Sequence, residues 1–228
     1  MKYGEDSLPP GIELKHREPI AVGRYREIYE HPLDKNLLVK VVRPIVTELY
    51  AQRASKFTKW RGNWQYRNLT REISQYLSLR RRGQHTLPFI QHFVGIVDTD
   101  YGFGMVVRKV RGRNGELAPT VRAIVEKGGL TAETRARIDD LRADVIDNHI
   151  IFGDVSAENI VHADDEEHGN RLVIIDGLSD RLLLPVNAWS SVVNRVYCER
   201  RFARAMRKLE AVDRDRLAGL LPEPSAKS

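Results

Sequence analysis

Two acidic residues and one asparagine are the side chains in this chain best suited to chemistry. Asp154 and Asn159 stand five positions apart, and Asp176 ends the apolar run 172–175 and is followed by glycine. Phosphoryl transfer needs such groups, because one carboxylate accepts the proton of an acceptor hydroxyl while an Asn and a second carboxylate hold magnesium against nucleotide phosphates. The alternative is structural: Asp154 caps a turn, Asn159 enters a strand and Asp176 forms a turn with the next glycine. A predicted helix before the loop and a predicted strand pair after it favour the chemical interpretation.

A lysine stands inside an otherwise apolar strand-like run. Lys40 lies within residues 37–42, and the residues two positions to either side are apolar, so its own face is expected to be buried. A buried lysine needs an anion, which nucleotide phosphates and a helix carboxylate would supply. The alternative is an edge-strand lysine that reaches water. Glu72 is the best carboxylate partner because it flanks the apolar face of a predicted helix, although a surface position for Glu72 and a pairing with Glu48 stay open.

A single glycine, Gly23, lies between two strand-like runs. A hairpin that covers phosphates needs small residues so that backbone N–H groups can approach the ligand. Gly23 is the one such glycine here, and it is the candidate residue for a phosphate loop.

The apolar periodicity predicts an α+β fold for the elements that must position these residues. A β-rich part with one helix is expected over residues 12–110, and a shorter, mainly helical part over 111–221. Residues 1–11 and 222–228 are expected to be flexible ends.

Two helices of this scheme can be described from their residues. Thr131 is the expected N-cap of a helix that carries an apolar stripe. The last helix, about 188–210, is predicted to bury one face and to expose a basic one. The predicted buried face is formed by Trp189, Val192, Val193, Val196, Ala203 and Met206.

Composition excludes several classes of protein. The chain has 228 residues, of which 42% are hydrophobic and 30% charged, as in an ordinary globular protein. No apolar run is long enough for a transmembrane helix, and the N-terminal residues lack the apolar core of a secretory signal. Cys198 is the single cysteine, which excludes an intrachain disulfide and favours a cytoplasmic location.

The chain is basic, with a formal net charge of +6. Two basic clusters, residues 80–82 and 195–208, contribute much of this net charge. Such clusters are often solvated helix faces, but they also attract acidic partners, so the C-terminal helix is a candidate surface for an acidic protein. Nucleic acid is disfavoured as a partner, because aromatic residues do not interleave with the arginines in a recognisable platform.

The motifs resemble those of the protein-kinase-like superfamily. Residues 39–42 resemble the strand that carries its lysine, and Glu72 resembles its helix glutamate. Residues 153–161 resemble the catalytic loop in the form G-D-x-x-x-x-N-I, and Asp176 with its glycine resembles the metal-binding turn. Gly23 matches the second glycine of the phosphate loop. Residues 105–110 look like the hinge that meets adenine, which makes Val107 and Lys109 candidate nucleotide-binding residues.

More narrowly, residues 12–210 are similar to the bacterial YrbL family, the PhoP-regulatory-network proteins. The resemblance implies a two-lobe kinase-like fold that binds ATP and Mg²⁺. In it Asp154 is the base, Asn159 and Asp176 are the metal ligands, Lys40 is the phosphate anchor and Glu72 is its positioner.

Three residues depart from the protein-kinase pattern. Phe152 replaces the histidine before the catalytic loop, Ser156 replaces a lysine that would neutralise the transferred phosphoryl group, and Leu178 follows Asp-Gly. No Ala-Pro-Glu segment follows. The phosphoryl acceptor, which the sequence does not identify, is therefore expected to be a small molecule or the chain itself, and a nucleotide-binding pseudokinase with a regulatory or partner-binding role is the alternative.

Overall fold

The computed structural model describes residues 11–46, 66–83, 87–178 and 191–220. The chain forms two compact units. The first unit comprises Met1–Thr70 and His92–Lys109, and the second unit comprises Arg71–Gln91 and Val110–Ser228. In the described ranges, no helix is both long and apolar enough to cross a membrane.

The first unit is built on a five-stranded antiparallel sheet in the order β1-β2-β3-β5-β4. Its strands are β1 (Ala21–Val22), β2 (Arg26–His31), β3 (Asp34–Val42), β4 (Phe93–Thr99) and β5 (Gly102–Arg108). The long β3 lies in the middle because its Leu and Val residues, buried at 38, 39 and 41, fit a strand covered on both faces.

The second unit contains most of the helical structure. Its elements are α1 (Arg67–Arg81), whose first turn belongs to the first unit, α2 (Val121–Gly128), α3 (Ala132–Asp147), β6 (Ile160–Asp165), β7 (Gly169–Ile174) and α4 (Ser191–Leu217). Thr131 caps α3 as predicted, since its side chain accepts the N–H of Thr134. Thr120 caps α2 in the same way, and this short helix was not predicted. The hairpin β6–β7 contributes Val161, Ala163 and Val173 to an apolar cluster that also contains Val110 and Ala118.

The prediction for the buried face of α4 is wrong. Val193 and Val196 are 42% and 41% exposed, and Ala203 is exposed as well. The helix instead buries Asn194, Cys198, Phe202, Ala205 and Leu209. Trp189 lies outside the described residues, as does the side chain of Val192. The reason is that this helix packs on a loop whose carbonyl groups need donors, so a polar residue belongs to its buried face.

The predicted fold class is confirmed. The structure is α+β, with a strand-rich first unit and a mainly helical second unit.

Candidate active site

The loop between α3 and β6 folds back on itself through Asn159. The Asn159 Nδ2 donates to the Asp154 carbonyl oxygen over 3.0 Å, and the Asn159 backbone N–H donates to the Ser156 carbonyl oxygen over 3.0 Å. An amide group that donates through its nitrogen leaves its oxygen as a free acceptor on the other side. The loop therefore holds Asp154 and Asn159 close together and orients the Asn159 amide.

The turn that contains Asp176 is hydrogen-bonded to this loop on both sides. The N–H groups of Gly153 and Asp154 donate to the Gly177 carbonyl oxygen over 3.0 and 3.3 Å, and the Ile175 N–H donates to the Asn159 carbonyl oxygen over 2.9 Å. The Asp176 carboxylate accepts the N–H of Gly177 over 2.6 Å. Because both neighbours of Asp176 are bound to the loop, the structure brings Asp154, Asn159 and Asp176 together.

Gly177 lies too close to the loop for a side chain. Its φ is +86°, and a Cβ atom there would lie 2.9 Å from the Asp154 carbonyl oxygen, 3.0 Å from the Phe152 ring and 3.1 Å from the Asn159 Nδ2. A side chain at this position would clash with a backbone atom, and it would also have to adopt a left-handed backbone conformation that only glycine adopts without strain. Glycine is therefore required for the turn to approach the loop.

Oxygen ligands for a cation are available at this junction. The Asp176 carboxylate and the Asn159 amide oxygen are the hard donors that Mg²⁺ prefers, and Mg²⁺ binds with one or two such protein groups because it keeps several waters and contacts substrate phosphates. Within the described ranges there is no cluster of three or more His, Cys, Asp or Glu residues that could hold a metal by itself. The Asp176 carboxylate and the Asn159 amide oxygen thus fit the one or two protein ligands that a magnesium ion takes.

Helix α4 supports the loop from behind, which the sequence analysis missed. The Asn194 Nδ2 donates to the Ile150 carbonyl oxygen over 3.3 Å, and the Arg201 guanidinium donates to the Gly153 carbonyl oxygen. Phe152, which is fully buried, packs edge-on against Phe202 with ring centroids 6.2 Å apart. Phe152, which replaces the expected histidine, thus packs into the core. The sequence feature that could have predicted this support is Asn194, a polar residue on the face of α4 that is buried.

Cys198 belongs to the same support. Its thiol is buried, 3.8 Å from the Ile150 carbonyl oxygen and 3.7 Å from the Asn194 Oδ1. Burial raises the pKa of the Cys198 thiol to about 11, against a smaller lowering by a backbone hydrogen bond from Phe152. The thiol is therefore protonated at neutral pH and acts as a small apolar group.

Ser156 is hydrogen-bonded to a neighbouring acid. Burial raises the pKa of Glu158, but hydrogen bonds from its own N–H, from the Ser156 hydroxyl and from Arg122 outweigh this effect and lower it. The Arg122 Nη1 lies 3.1 Å from the Glu158 Oε1. The Ser156 position, where protein kinases have a lysine, thus contributes no positive charge.

Lys40 and Glu72 are both buried, each in its own unit. Lys40 lies on β3 with 3% of its surface exposed, and β3 is flanked by β2 and β5, so the edge-strand alternative is excluded. Glu72 lies on α1 with 2% exposed, which excludes the surface alternative. Glu48, the rival partner of Lys40, lies outside the described residues.

The remaining nucleotide candidates, Gly23, Val107 and Lys109, lie in the first unit. The Gly23 N–H donates to the Arg26 carbonyl oxygen over 2.8 Å, and a Cβ at Gly23 would make only an ordinary contact of 3.5 Å. Val107 is fully buried within β5. The Lys109 Nζ is 2.6 Å from the Glu30 Oε1, and its N–H donates to the Asn36 carbonyl oxygen over 2.7 Å. The N–H groups of Gly23 and Lys109 are thus already used within the protein.

The fold and the loop junction define a chain of the α+β class. The chain belongs to the family described as PhoP regulatory network protein YrbL, whose model matches residues 12–210. It is 26% identical over 182 residues to the uncharacterized protein YrbL of Escherichia coli (strain K12), covering 78% of this chain and 79% of the relative. The YrbL protein of Shigella flexneri matches to the same extent.

Two solved structures are similar to this chain at low sequence identity. One is described as PpkA-294 apo form, with a TM-score of 0.48 and 17% identity over 76% of this chain and 62% of that chain. The other is Rad53 1-466 in complex with AMP-PNP, with a TM-score of 0.46 and 16% identity over 92% of this chain and 49% of that chain. This chain thus spans only about half to three fifths of these proteins.

Proposed function

We propose that this protein is an ATP- and Mg²⁺-dependent kinase-like phosphotransferase. The observation that carries the proposal is the hydrogen-bonded junction between the loop of Asp154 and Asn159 and the turn of Asp176. Its groups are those that phosphoryl transfer uses: a carboxylate to accept the acceptor proton, and an amide oxygen and a second carboxylate for magnesium.

Each residue has a defined part in this proposal. Asp154 orients the acceptor hydroxyl and takes its proton, while Asn159 and Asp176 hold the metal, which neutralises charge on the phosphates when bound. Lys40 anchors the phosphates, and Glu72 positions the lysine. Gly23, Val107 and Lys109 remain candidates for contact with the nucleotide, with Val107 as an apolar wall and Lys109 limited to its carbonyl oxygen.

The proposed acceptor is a small molecule or the chain itself. The sequence after Asp-Gly-Leu contains no Ala-Pro-Glu segment, and Ser156 supplies no positive charge next to the catalytic carboxylate. The proposed compartment is the cytoplasm, which fits a single, buried, protonated cysteine.

Nucleotide-dependent thermal stabilisation tests the binding part of the proposal. At a Mg-ATP concentration about tenfold above Kd, binding to the native state stabilises it by about 1.4 kcal/mol. For a chain of this size we expect Tm to rise by about 3–6 °C. Asp176→Asn should abolish most of the rise, whereas Asp215→Asn, which neutralises an exposed carboxylate near the end of α4, should keep it. No shift in the wild type at millimolar Mg-ATP would refute nucleotide binding.

A second candidate function is a nucleotide-binding regulatory module without turnover. The hydrogen bond from Ser156 to Glu158 and the burial of Phe152 in the place of a histidine favour it. This candidate includes an acidic protein partner that binds α4. Turnover separates the two candidates: ATP hydrolysis or autophosphorylation that disappears in Asp154→Asn supports the enzyme. A wild type that binds Mg-ATP but does not turn it over supports the module.

A further inference from the structure

Helices α3 and α4 leave an open groove of about 230 Å³ between them. Its floor is apolar, with Ile138 from α3 and Phe202 and Met206 from α4, and Ala203 lies on the α4 wall. The α3 wall carries charged side chains, namely Arg135, Asp139 and Arg142. The groove lies on the side of α4 whose small and apolar residues were predicted to be buried.

The size of the groove argues for a side chain as its occupant. Pockets that enclose small molecules usually measure about 300–1,000 Å³ and bury most of the ligand. A shallower groove with a Phe and a Met in its floor fits one or two large apolar side chains of a partner. Both residue types are enriched at the centres of protein interfaces, where Met adapts to irregular shapes.

The charges on the two sides of the groove differ. On α3, Arg142 pairs with Asp139 at 3.1 Å, and Arg135 pairs across the groove with Glu210 of α4 at 2.9 Å. On α4, three exposed arginines follow one another on the side next to Ala203 at spacings of four and three residues: Arg200, Arg204 and Arg207. Among the described residues, no carboxylate pairs with any of these three, which we call the arginine ridge.

We propose that this groove binds an acidic, amphipathic helical segment of a partner protein. Apolar side chains at i and i+4 of such a segment would enter the floor, and carboxylates on its flank would face the arginine ridge. A nucleic acid would bind the arginine ridge through its phosphates and would gain no affinity from the apolar floor. The inference concerns a surface formed by α3 and α4 alone, so it stands or fails independently of nucleotide binding.

The test uses the full chain and a fluorescein-labelled synthetic helical peptide with Leu at i, i+4 and i+7 and Glu on the flank. Fluorescence anisotropy compares it with a scrambled peptide of the same composition. We expect the amphipathic peptide to bind at least about tenfold more tightly than the scrambled one, a difference of about 1.4 kcal/mol.

Two pairs of variants separate charge from shape. Arg200→Glu/Arg204→Glu/Arg207→Glu should weaken peptide binding by about tenfold or more, while the matched control with the same charge change on α1 and α2 should stay near the wild type. That control consists of Arg80→Glu, Arg81→Glu and Lys127→Glu, all at exposed positions. Ala203→Trp, which fills the groove, should also weaken binding by about tenfold, while Ala136→Trp, at an exposed position of α3 away from the groove, should not. Circular dichroism and Tm check that each variant is folded.

Four results would overturn the proposal. The first is no peptide binding at about 100 μM protein, a concentration that detects even weak complexes. The second is equal binding of the scrambled peptide. The third is an unchanged affinity in folded Ala203→Trp, and the fourth is an equally tight complex with a single-stranded oligonucleotide of the same net charge. The last two would reduce the surface to a general attraction for anions.

Discussion

At the scale of single residues, Gly177 links the two halves of the candidate site. Its left-handed backbone lets the turn after β7 approach the Asp154 carbonyl oxygen and the Asn159 amide closely. Gly169, at the start of β7, is also left-handed with φ +65°, but no atom lies within 4 Å of the position of its Cβ. A comparison of substitutions at Gly177 and Gly169 therefore separates the free-energy cost of the left-handed backbone from the cost of the close contact with the loop.

We predict that Gly177→Ala is more damaging than Gly169→Ala. The backbone strain costs about 1–2 kcal/mol in both variants. At Gly177 the added methyl group also displaces the turn from the loop, so this variant should lose further stability and the thermal response to Mg-ATP. Urea unfolding measures the stability and differential scanning fluorimetry measures the response. Equal stability losses with both responses retained would show that the junction does not depend on this contact.

The residues of the junction could be predicted because their spacing is local. Asp154 and Asn159 share one loop, and Asp176 follows the second strand of the hairpin that begins next to Asn159. The position of Lys109 could not be predicted in this way. Its ammonium group binds Glu30, which is 79 residues away in sequence, and such a partner is set by the register of the sheet.

At the scale of elements, α4 shows where periodicity fails. The apolar residues Val193 and Val196 suggested one buried face, but the loop behind Asp154 presents the carbonyl groups of Ile150 and Gly153. A buried carbonyl needs a donor, so the helix turns Asn194 and Arg201 towards the loop and leaves both valines partly exposed. Apolar periodicity predicts that a helix forms here. Which face of the helix is buried depends on the polar groups of the loop that it packs against.

The hairpin β6–β7 is closed by a buried acid–histidine pair. Asp165 accepts hydrogen bonds from the N–H groups of Arg111 and His168, at 2.9 and 2.7 Å, and from the His168 Nδ1 at 2.9 Å. Burial raises the pKa of Asp165, but these hydrogen bonds and the charge of His168 outweigh it and lower the pKa below its ordinary value. Asp165 thus stabilises the hairpin in its ionised form.

We predict that Asp165→Asn destabilises the fold and reduces its sensitivity to acid. A carboxylate with a lowered folded-state pKa contributes its full stability above the unfolded-state value of about 3.9, and this contribution is lost as pH falls through the lower folded-state value. Breaking these bonds should cost about 1–3 kcal/mol at neutral pH. Urea unfolding at a series of pH values measures both effects.

The neighbouring Asp164 provides a control for that prediction. It pairs with Arg113, whose side chain is 82% exposed, and pairs of this kind contribute little to stability. Asp164→Asn should therefore change the free energy of unfolding by less than about 1 kcal/mol and leave the acid sensitivity intact. A loss as large as that of Asp165→Asn would show that general charge at the hairpin tip, and not the buried pair, sets the stability.

At the scale of the whole molecule, the candidate residues are divided between two compact units. Gly23, Lys40, Val107 and Lys109 belong to the first unit, and the acidic residues of the junction belong to the second. The sequence predicted the class of fold, because strand and helix periods change near the end of β5. It did not predict that residues 71–91 belong to the second unit, since that grouping depends on contacts distant along the chain.

Paramagnetic broadening of backbone amide signals by Mn²⁺-ATP, with Mn²⁺ in place of Mg²⁺, tests the central claim most directly. If Asn159 and Asp176 hold the metal, the signals of Asn159, Ile160 and Gly177 should broaden first in the wild type and should stay sharp in Asp176→Asn. Broadening that persists in Asp176→Asn, or that centres on the acidic residues of α3 instead, would contradict the account.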